Sequence, residues 1–381
     1  MSTEVTIISV SNKADIKQFL DFPYELYKAD PQWRAPLRFE RAAQIDPNKN
    51  PALKGLETQL FLAEKNGEIV GRMAAIKNPH HLEIYKDDTG HFGFWDTQKD
   101  AAISIALMDA VQSWLKERGL KRIVGPLSFT INEEVGLLID GFTMPPVLMM
   151  PYGRPDYQET IEAMGFAKAM DMFAYWANMH EGYPRPKIVT TMTDYIAKDP
   201  NITMRRLRKK NFLNEVQLIM SIFNDAWLNN WNYVPFTDVQ IKHMANELKP
   251  IIQKDFVWIC EYKGEPAAFI LMVPNINEAI DGLNGKLLPF GWAKLLYRLK
   301  MKGVKSARIP LMGVRKKYQR KRAGLSMAAA LSETVFEMGR KHGYTHVEMG
   351  WILETNKSMI RIIEQAQGIP YKTYRMYEKA L

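Results

Sequence analysis

The chain has 381 residues, 46% of them hydrophobic and 24% charged, with 51 Lys and Arg against 42 Asp and Glu and a formal net charge of +9. At about 100–200 residues per domain this length predicts two globular domains, and the composition excludes a disordered or collagen-like chain. The single cysteine, Cys260, excludes an intrachain disulfide and a cysteine-rich metal site, and no run approaches the roughly 18 apolar residues of a membrane-spanning helix.

The opening MSTEVTIISVSN lacks a basic start followed by an apolar core, so no secretory signal is expected and a reducing cytoplasm fits. The positive charge calls for an acidic partner, and nucleic acid, an anionic lipid surface or a phosphorylated small molecule would all serve. The histidines show no helical i, i+4 pair with a third ligand nearby, and His80 and His81 follow a proline in a loop, so no metal is expected.

Residues 4–10 alternate as a strand and 12–20 read as a short helix. From 21 to 51, Pro23, Pro31, Pro36, Pro47 and Pro51 interrupt any periodicity. Phe22, Tyr24, Tyr27, Trp33 and Phe39 in that tract either line a substrate mouth or pin the loop to the core. Residues 60–76 form two β-rich runs about Asn66-Gly67, a hairpin signal. A strand at 91–95, a helix at 101–118 ending on Gly119, and a strand in KRIVGP stopped by Pro126 follow. After a Gly-, Pro- and Met-rich tract at 128–152, a helix at 157–164 and a strand near 171–176 close this half.

A linker with Gly182, Pro184 and Pro186 comes next, with a helical patch around 188–196. The order of elements then starts again: strand 202–207, helix 212–227, a hairpin at 256–273 about Lys263-Gly264, strand 305–314, helix 326–341, strand 346–351, helix 357–367 and strand 371–377. FLAEKNGEIVGRMAAI echoes VWICEYKGEPAAFILM, ERGLKRIVG echoes KHGYTHVEMG, and IEAMGFAKAMDMFAY echoes IIEQAQGIPYKTYRMY. The repetition predicts two similar α/β (α+β) domains, 1–180 and 201–381 about a linker at 181–200, each a mixed, mainly antiparallel sheet flanked by helices.

The stretch richest in chemistry is 309–331, IPLMGVRKKYQRKRAGLSMAAAL. A buried strand at 309–314 leads into a basic turn at 315–324 and then a helix whose core face is Leu325, Ala328, Leu331, Val335 and Met338. A strand feeding a glycine-containing turn that opens a helix gathers backbone N–H groups and the positive helix end, which makes an anion site. Arg315, Lys316, Lys317, Arg320, Lys321 and Arg322 bring more charge than one phosphate requires, so a pyrophosphate suits it; the bland alternative is a solvated basic turn. The first copy's counterpart, WDTQKD at 95–100, has no glycine and two carboxylates and should repel a pyrophosphate.

Three other stretches stand out. Asn224, Trp227, Asn230 and Trp231 recur at three- and four-residue steps, which would place them on one helical face suited to a ligand with an apolar chain and a polar head, or to plain core packing. The second copy's insertion, about 275–303, overlaps KLLPFGWAKLLYRLKMKGVK at 286–305, which reads as a basic amphipathic helix for a lipid surface, a roof over an acyl tunnel, or an element packed on its own domain. Arg205, Arg206, Arg208, Lys209 and Lys210 have no accompanying nucleic-acid motif, so a solvated turn is favoured and no nucleic acid partner is expected. With one thiol and no G-x-S-x-G motif, no covalent enzyme intermediate is implied.

The 309–331 stretch resembles motif A of the GNAT superfamily of N-acetyltransferases, in which Gln/Arg-x-x-Gly-x-Gly/Ala cradles the pyrophosphate of an acyl coenzyme A. Gln319 and Gly324 match the first and last positions, and Arg322 stands where the middle glycine is usual. Taken with GWILETN, the Tyr-rich final strand and FNDAWLNNW, the chain resembles tandem GNAT acyltransferases over nearly its whole length, most of all the bacterial ceramide synthase group. The resemblance implies acyl-CoA as co-substrate with no tightly bound cofactor, and transfer of a long acyl chain to an amine such as a sphingoid base.

By the same resemblance, Gln319, Arg320, Arg322, Ala323, Gly324 and Leu325 hold the pyrophosphate and the strand edge at Met312, Gly313 and Val314 pairs with the pantetheine arm. Asn356 either bonds that arm or caps the next helix. Trp227, Asn230 and Trp231 would face the acceptor. Ile363 replaces the usual Tyr acid, which leaves Tyr371, Tyr374 and Tyr377 of the last strand as substitutes, Tyr374 and Tyr377 among the catalytic candidates. Glu354, then Glu348, are the candidate bases, since the amine must be neutral to attack. Two rival readings are a tandem GNAT transferase using aminoacyl-tRNA and a non-catalytic acyl-CoA or lipid sensor. The expected location is cytoplasmic, with 286–305 as a peripheral contact with the inner membrane face.

Overall fold

A computed structural model describes residues 4–179, 186–249, 252–319 and 321–381. They form two compact units: one takes the chain up to 172, then 280–295 and 372–381, and the other takes 173–279 and 296–371. No helix among the described residues is long and apolar enough to cross a membrane.

In chain order the first unit begins with β1 (Thr6–Ser9), α1 (Lys13–Leu26), α2 (Arg38–Gln44), β2 (Glu57–Lys65), β3 (Glu68–Lys77) and α3 (Pro79–Tyr85). It continues with β4 (Thr89–Thr97), α4 (Ala101–Lys116), β5 (Arg122–Gly125), β6 (Leu137–Asp140) and α5 (Asp156–Ala163). β7 (Ala167–Asn178) leads out of it. The second unit adds α6 (Lys187–Lys198), β8 (Ile202–Arg206), α7 (Phe212–Trp227), α8 (Asp238–Leu248), β9 (Val257–Tyr262), β10 (Glu265–Pro274) and α9 (Ile276–Ile280). After α10 (Gly291–Tyr297) come β11 (Ser306–Val314), α11 (Arg322–Lys341), β12 (His346–Leu353), α12 (Lys357–Gln365) and β13 (Ile369–Ala380), the last returning to the first unit after Tyr371.

The two units repeat one plan. The β2/β3 and β9/β10 hairpins turn on Asn66-Gly67 and Lys263-Gly264, both with the positive φ pair that a tight two-residue turn requires. Antiparallel β4 and β11 follow, each feeding a long helix that returns to a parallel neighbour, β5 or β12. In the first unit α4 presents Ile103, Leu107, Met108, Val111 and Leu115 to Phe61, Met73, Phe92 and Ile123, all buried. In the second, Ala328, Leu331, Val335 and Met338 of α11 are buried as the spacing predicts.

The closing strands depart from expectation. Pattern alone ends each half with its own final strand, yet in the first unit it is β13 that pairs with β5, from Tyr377↔Gly125 to Ala380↔Arg122, and with β6. In the second unit the end of β7, from Phe173, lies beside β12. Lys372 and Arg375 fasten β13: the Lys372 ammonium donates to the carbonyls of Gly141 and Met144, and Arg375 makes two bonds to Asp171. The linker helix is also longer than the expected patch, and positions 181–185 lie outside the described residues.

The proline-rich tract at 21–51 is pinned through its aromatics. The Tyr24 hydroxyl donates to Pro36 O, Tyr27 donates to Asp96, and Trp33 packs edge-on against Tyr24, whereas Phe39 is exposed. Because Tyr377 sits in the core of a unit built mainly from the other end of the chain, Tyr377→Ala should lower stability by about 3–5 kcal/mol. Urea unfolding of the full chain measures this, and an effect below 1 kcal/mol would mean that β13 is not part of that core.

Candidate active site

β11 lies between antiparallel β10 and parallel β12, but it does not keep both partners along its length. Its pairing with β12 runs from Ser306↔His346 to Ile309↔Met349. There the β10 register shifts between Leu271 and Val273, so β11 carries an extra residue beside Pro310, which has no N–H to give. Past this bulge β11 stays with β10, up to Ala268↔Val314. The Arg315 N–H donates to Ala267 O, so by strand alternation the main-chain groups of Val314 and Met312 point away from β10, towards the side β12 has left.

Two side chains from this unit reach those groups. Trp227, the last residue of α7, donates its indole N–H to Met312 O at 3.3 Å and packs edge-on against Trp351 with ring centroids 5.7 Å apart. The Gln319 amide donates to Val314 O and Ala226 O, both at 3.0 Å. Gly313 is buried, and a Cβ there would come within 2.9 Å of the Phe269 ring.

The turn after Val314 is a short 3-10 segment, Lys316–Tyr318, and α11 opens at Arg322, so Ala323 and Gly324 belong to its first turn rather than to a preceding loop. Gly324 is required by close approach: a Cβ would lie 2.1 Å from the Tyr318 carbonyl oxygen. The N-cap, Lys321, offers no side-chain bond, and no acidic residue stands in the first turn. Arg315 is spent on Pro266 O and Ser221, and Lys317 on Glu265, whereas Lys321 and Arg322 have no acidic partner among the described residues. Arg320 lies outside the described residues.

The first unit's equivalent corner has the opposite character. Asp100 caps α4 by accepting from Ala102 N and pairs with Lys65, while Asp96 is held by Arg72 and Tyr27. A carboxylate occupies the helix end where an anion would bind. The basic run at 205–210 is also partly neutralised, with Arg205 held between Glu215 and Glu261 and Arg206 beside Asp255.

Several expected site residues fall elsewhere. α7 stops at Trp227, so Asn230 and Trp231 are not on its face; they lie in an irregular turn that carries Asn232 at φ 55°, and periodicity alone cannot reveal a helix end. Glu348 is fully buried on β12 with its carboxylate 3.1 Å from Arg308 Nε, and Arg308 also donates to Gly350 O. A carboxylate so placed is part of the core and is sealed from a substrate amine. Tyr374 and Tyr377 belong to the first unit and are fully buried there. Tyr377 donates to Glu162, and burial together with that carboxylate pushes its hydroxyl up to about 12. Neither supplies a proton at the end of β11.

Glu354 does sit in the turn between β12 and α12, half-buried, two residues before Asn356. Asn356 caps α12, its side-chain oxygen accepting from Met359 N at 3.2 Å. Ile363 is buried against Tyr175 and Ile360. Leu325 is only half-buried and turns towards a surface groove beside α6 rather than the core. Cys260 is buried on β9, and burial pushes its thiol up to about 12, which is incompatible with a thiolate nucleophile at neutral pH. No group of acidic, His or Cys side chains that could hold a metal occurs among the described residues.

A hairpin, a strand splayed from its parallel neighbour and a helix opening from that splay define the GNAT fold, and the chain contains the arrangement twice. No family model matches the chain. It is 43% identical over 370 residues to protein YghO of Escherichia coli, covering 97% of this chain and 94% of that protein. It is 41% identical over 383 residues to the bacterial ceramide synthase of Caulobacter vibrioides, covering 100% and 98%. Among solved structures, a tandem GNAT protein from the clavulanic acid biosynthesis pathway matches with TM-score 0.60 at 12% identity over 99% of this chain and 98% of that one. A GCN5-related N-acetyltransferase from Sphaerobacter thermophilus matches with TM-score 0.52 at 12% identity over 99% and 95%. The chain belongs to the family of the bacterial ceramide synthase, its fold is that of tandem GNAT proteins, and it is an acyltransferase.

The buried pair marks Glu348 as a structural carboxylate. Glu348→Ala should cost about 3–5 kcal/mol in urea unfolding because it strands the Arg308 charge, and replacing both residues by Leu and Met should recover most of that loss. A Glu348→Ala protein of unchanged stability would remove the core assignment.

Proposed function

We propose that this protein transfers a long acyl chain from acyl-CoA to the amine of a sphingoid base, with the 3-oxo base as the first acceptor to test. The observation that carries the donor half is the first turn of α11, which has no side-chain cap, no acidic residue, and two cations, Lys321 and Arg322, with no acidic partner among the described residues. Backbone N–H groups there, the helix dipole and Lys321 suit the pyrophosphate. The acceptor half is supported by the relative named bacterial ceramide synthase.

The thioester arm would run along the open side of β11, pairing with the main chain of Met312 and Val314 and displacing the Trp227 and Gln319 contacts that these oxygens now accept. The neutral amine attacks the thioester carbonyl carbon, a C–N bond forms, and the C–S bond breaks as the tetrahedral intermediate collapses. A main-chain donor at the splay polarises the carbonyl. Glu354 takes the amine proton, directly or through one water, and the departing thiolate leaves as coenzyme A after protonation. Asn356 holds the turn that presents Glu354 by capping α12.

We also propose a peripheral contact with anionic lipid through the segment at 286–305. In the part that belongs to the first unit, Leu288 and Phe290 are more than three-quarters exposed and Trp292 is exposed, beside Lys286 and Lys294; in the part that belongs to the second, Met301 is more than three-quarters exposed and Leu296, Tyr297 and Leu299 are exposed, beside Lys300, Lys302 and Lys305. Exposed apolar side chains edged by lysines favour an anionic interface over water.

The purified protein incubated with palmitoyl-CoA and the 3-oxo sphingoid base should release free coenzyme A and form the amide, detected by mass spectrometry. No amide from any acyl-CoA, with strong salt-sensitive tRNA binding instead, would overturn the reading. Gly324→Val should abolish coenzyme A binding and leave the far-UV circular dichroism intact. Glu354→Gln should lower kcat by about 10²–10⁴ with donor binding unchanged.

Vesicle co-sedimentation tests the lipid contact. Binding to phosphatidylglycerol vesicles should exceed binding to phosphatidylcholine vesicles and be lost in Phe290→Ser/Trp292→Ser; equal recovery in both pellets would remove it.

A further inference from the structure

The first turns of α6 and α11 border an open groove of about 570 Å³, lined by Lys187, Thr191 and Met192 from one helix and Arg322, Leu325 and Ser326 from the other. The lining contains two cations and no carboxylate, and neither Lys187 nor Arg322 has an acidic partner among the described residues. Arg322 is held at the groove by stacking, its guanidinium 4.6 Å from the centre of the Tyr195 ring on α6. Neither helix has a side-chain cap or an acidic residue in its first turn, so among the described residues no carboxylate of either first turn opposes its positive dipole end.

A second observation points to a ligand. Ser326 is 1% exposed yet lines the groove, and its hydroxyl has no hydrogen-bond partner among the described residues. What little of this residue is exposed faces the groove, where its hydroxyl can donate to a ligand. Met192, Leu325 and the Thr191 methyl supply an apolar floor beside the two cations. A flat heterocycle that carries a phosphomonoester satisfies all three features at once.

Coenzyme A ends in such a group, adenosine 3′-phosphate, and Arg322 and Ser326 stand in the first turn or so of the helix proposed to hold its pyrophosphate. We infer that the groove binds this 3′-phosphoadenosine end, with Lys187 and Arg322 on the phosphate, Ser326 donating to it or to the ribose, and Met192 and Leu325 under the adenine. The inference rests on the acyl-CoA reading above. It gives α6, which sequence reading treats as part of a linker, a role in donor selection, because Lys187 is the one groove cation that motif A does not supply.

Isothermal titration of the full chain with coenzyme A and with 3′-dephospho-coenzyme A tests it. The dephospho form should bind about tenfold more weakly, the scale of a charge-assisted phosphate contact. Lys187→Ala should bring coenzyme A close to the dephospho value and leave dephospho-coenzyme A unchanged. Equal affinity of the unaltered protein for the two compounds, or equal weakening of both by Lys187→Ala, overturns the inference while the acyl-CoA reading stands. Binding of neither compound overturns the acyl-CoA reading and the inference with it.

Discussion

The parting of β11 from β12 after Ile309 and Met349 is the constraint on which the rest of the second unit depends. A strand inside a sheet has no main-chain groups to spare, because both edges are committed to ladders. Here a bulge beside Pro310 lets β11 follow β10 alone, and the carbonyls of Met312 and Val314 turn to side chains, Trp227 and Gln319, instead of a neighbouring strand. The same divergence leaves space for the turn at Lys316–Tyr318 and aims the start of α11 past the end of the sheet. A weakly committed strand edge and an uncapped helix therefore meet at one corner.

The first unit shows what happens when the same plan is kept without that use. Its hairpin, splay and helix are all present, and its β3/β4 register shift between Arg72 and Ala74 matches the one beside β11. Its helix end is closed from within by Asp100, and Asp96 joins Arg72, Tyr27 and the stack of Trp95 on Tyr157 in a buried network. The carboxylate stands where the second unit has only cations. Duplication has thus left one copy whose polar groups satisfy one another and one whose polar groups are partly unspent.

Buried polar groups need the same discrimination inside the second unit. Glu348 and Glu354 lie on one strand and the turn after it, and only their surroundings set them apart. Arg308 neutralises Glu348 in the interior, where losing either partner leaves a costly charge, whereas Glu354 lies half-buried in the turn that follows the strand. A fully buried ion pair across β11 and β12 also holds the two strands together just before they separate.

The sequence by itself determined the repeated order of elements, the hairpin turns and the basic corner, because these follow from local rules: positive φ at Asn66-Gly67 and Lys263-Gly264, apolar spacing on α4 and α11, and the crowding of positive charge after Val314. The need for Gly324 was visible as a motif, but its cause, the Tyr318 carbonyl 2.1 Å from a Cβ, was not. Only the tertiary structure decided which final strand closes which unit, since β7 and β13 have similar patterns and either could satisfy the edge of β5 or β12. It also decided that Glu348 belongs to Arg308, that Tyr374 and Tyr377 are core residues, that α7 ends at Trp227, and that α6 lies along the first turn of α11. Each of these depends on a partner far away in sequence, and a periodic pattern carries no information about which distant surface will cover it.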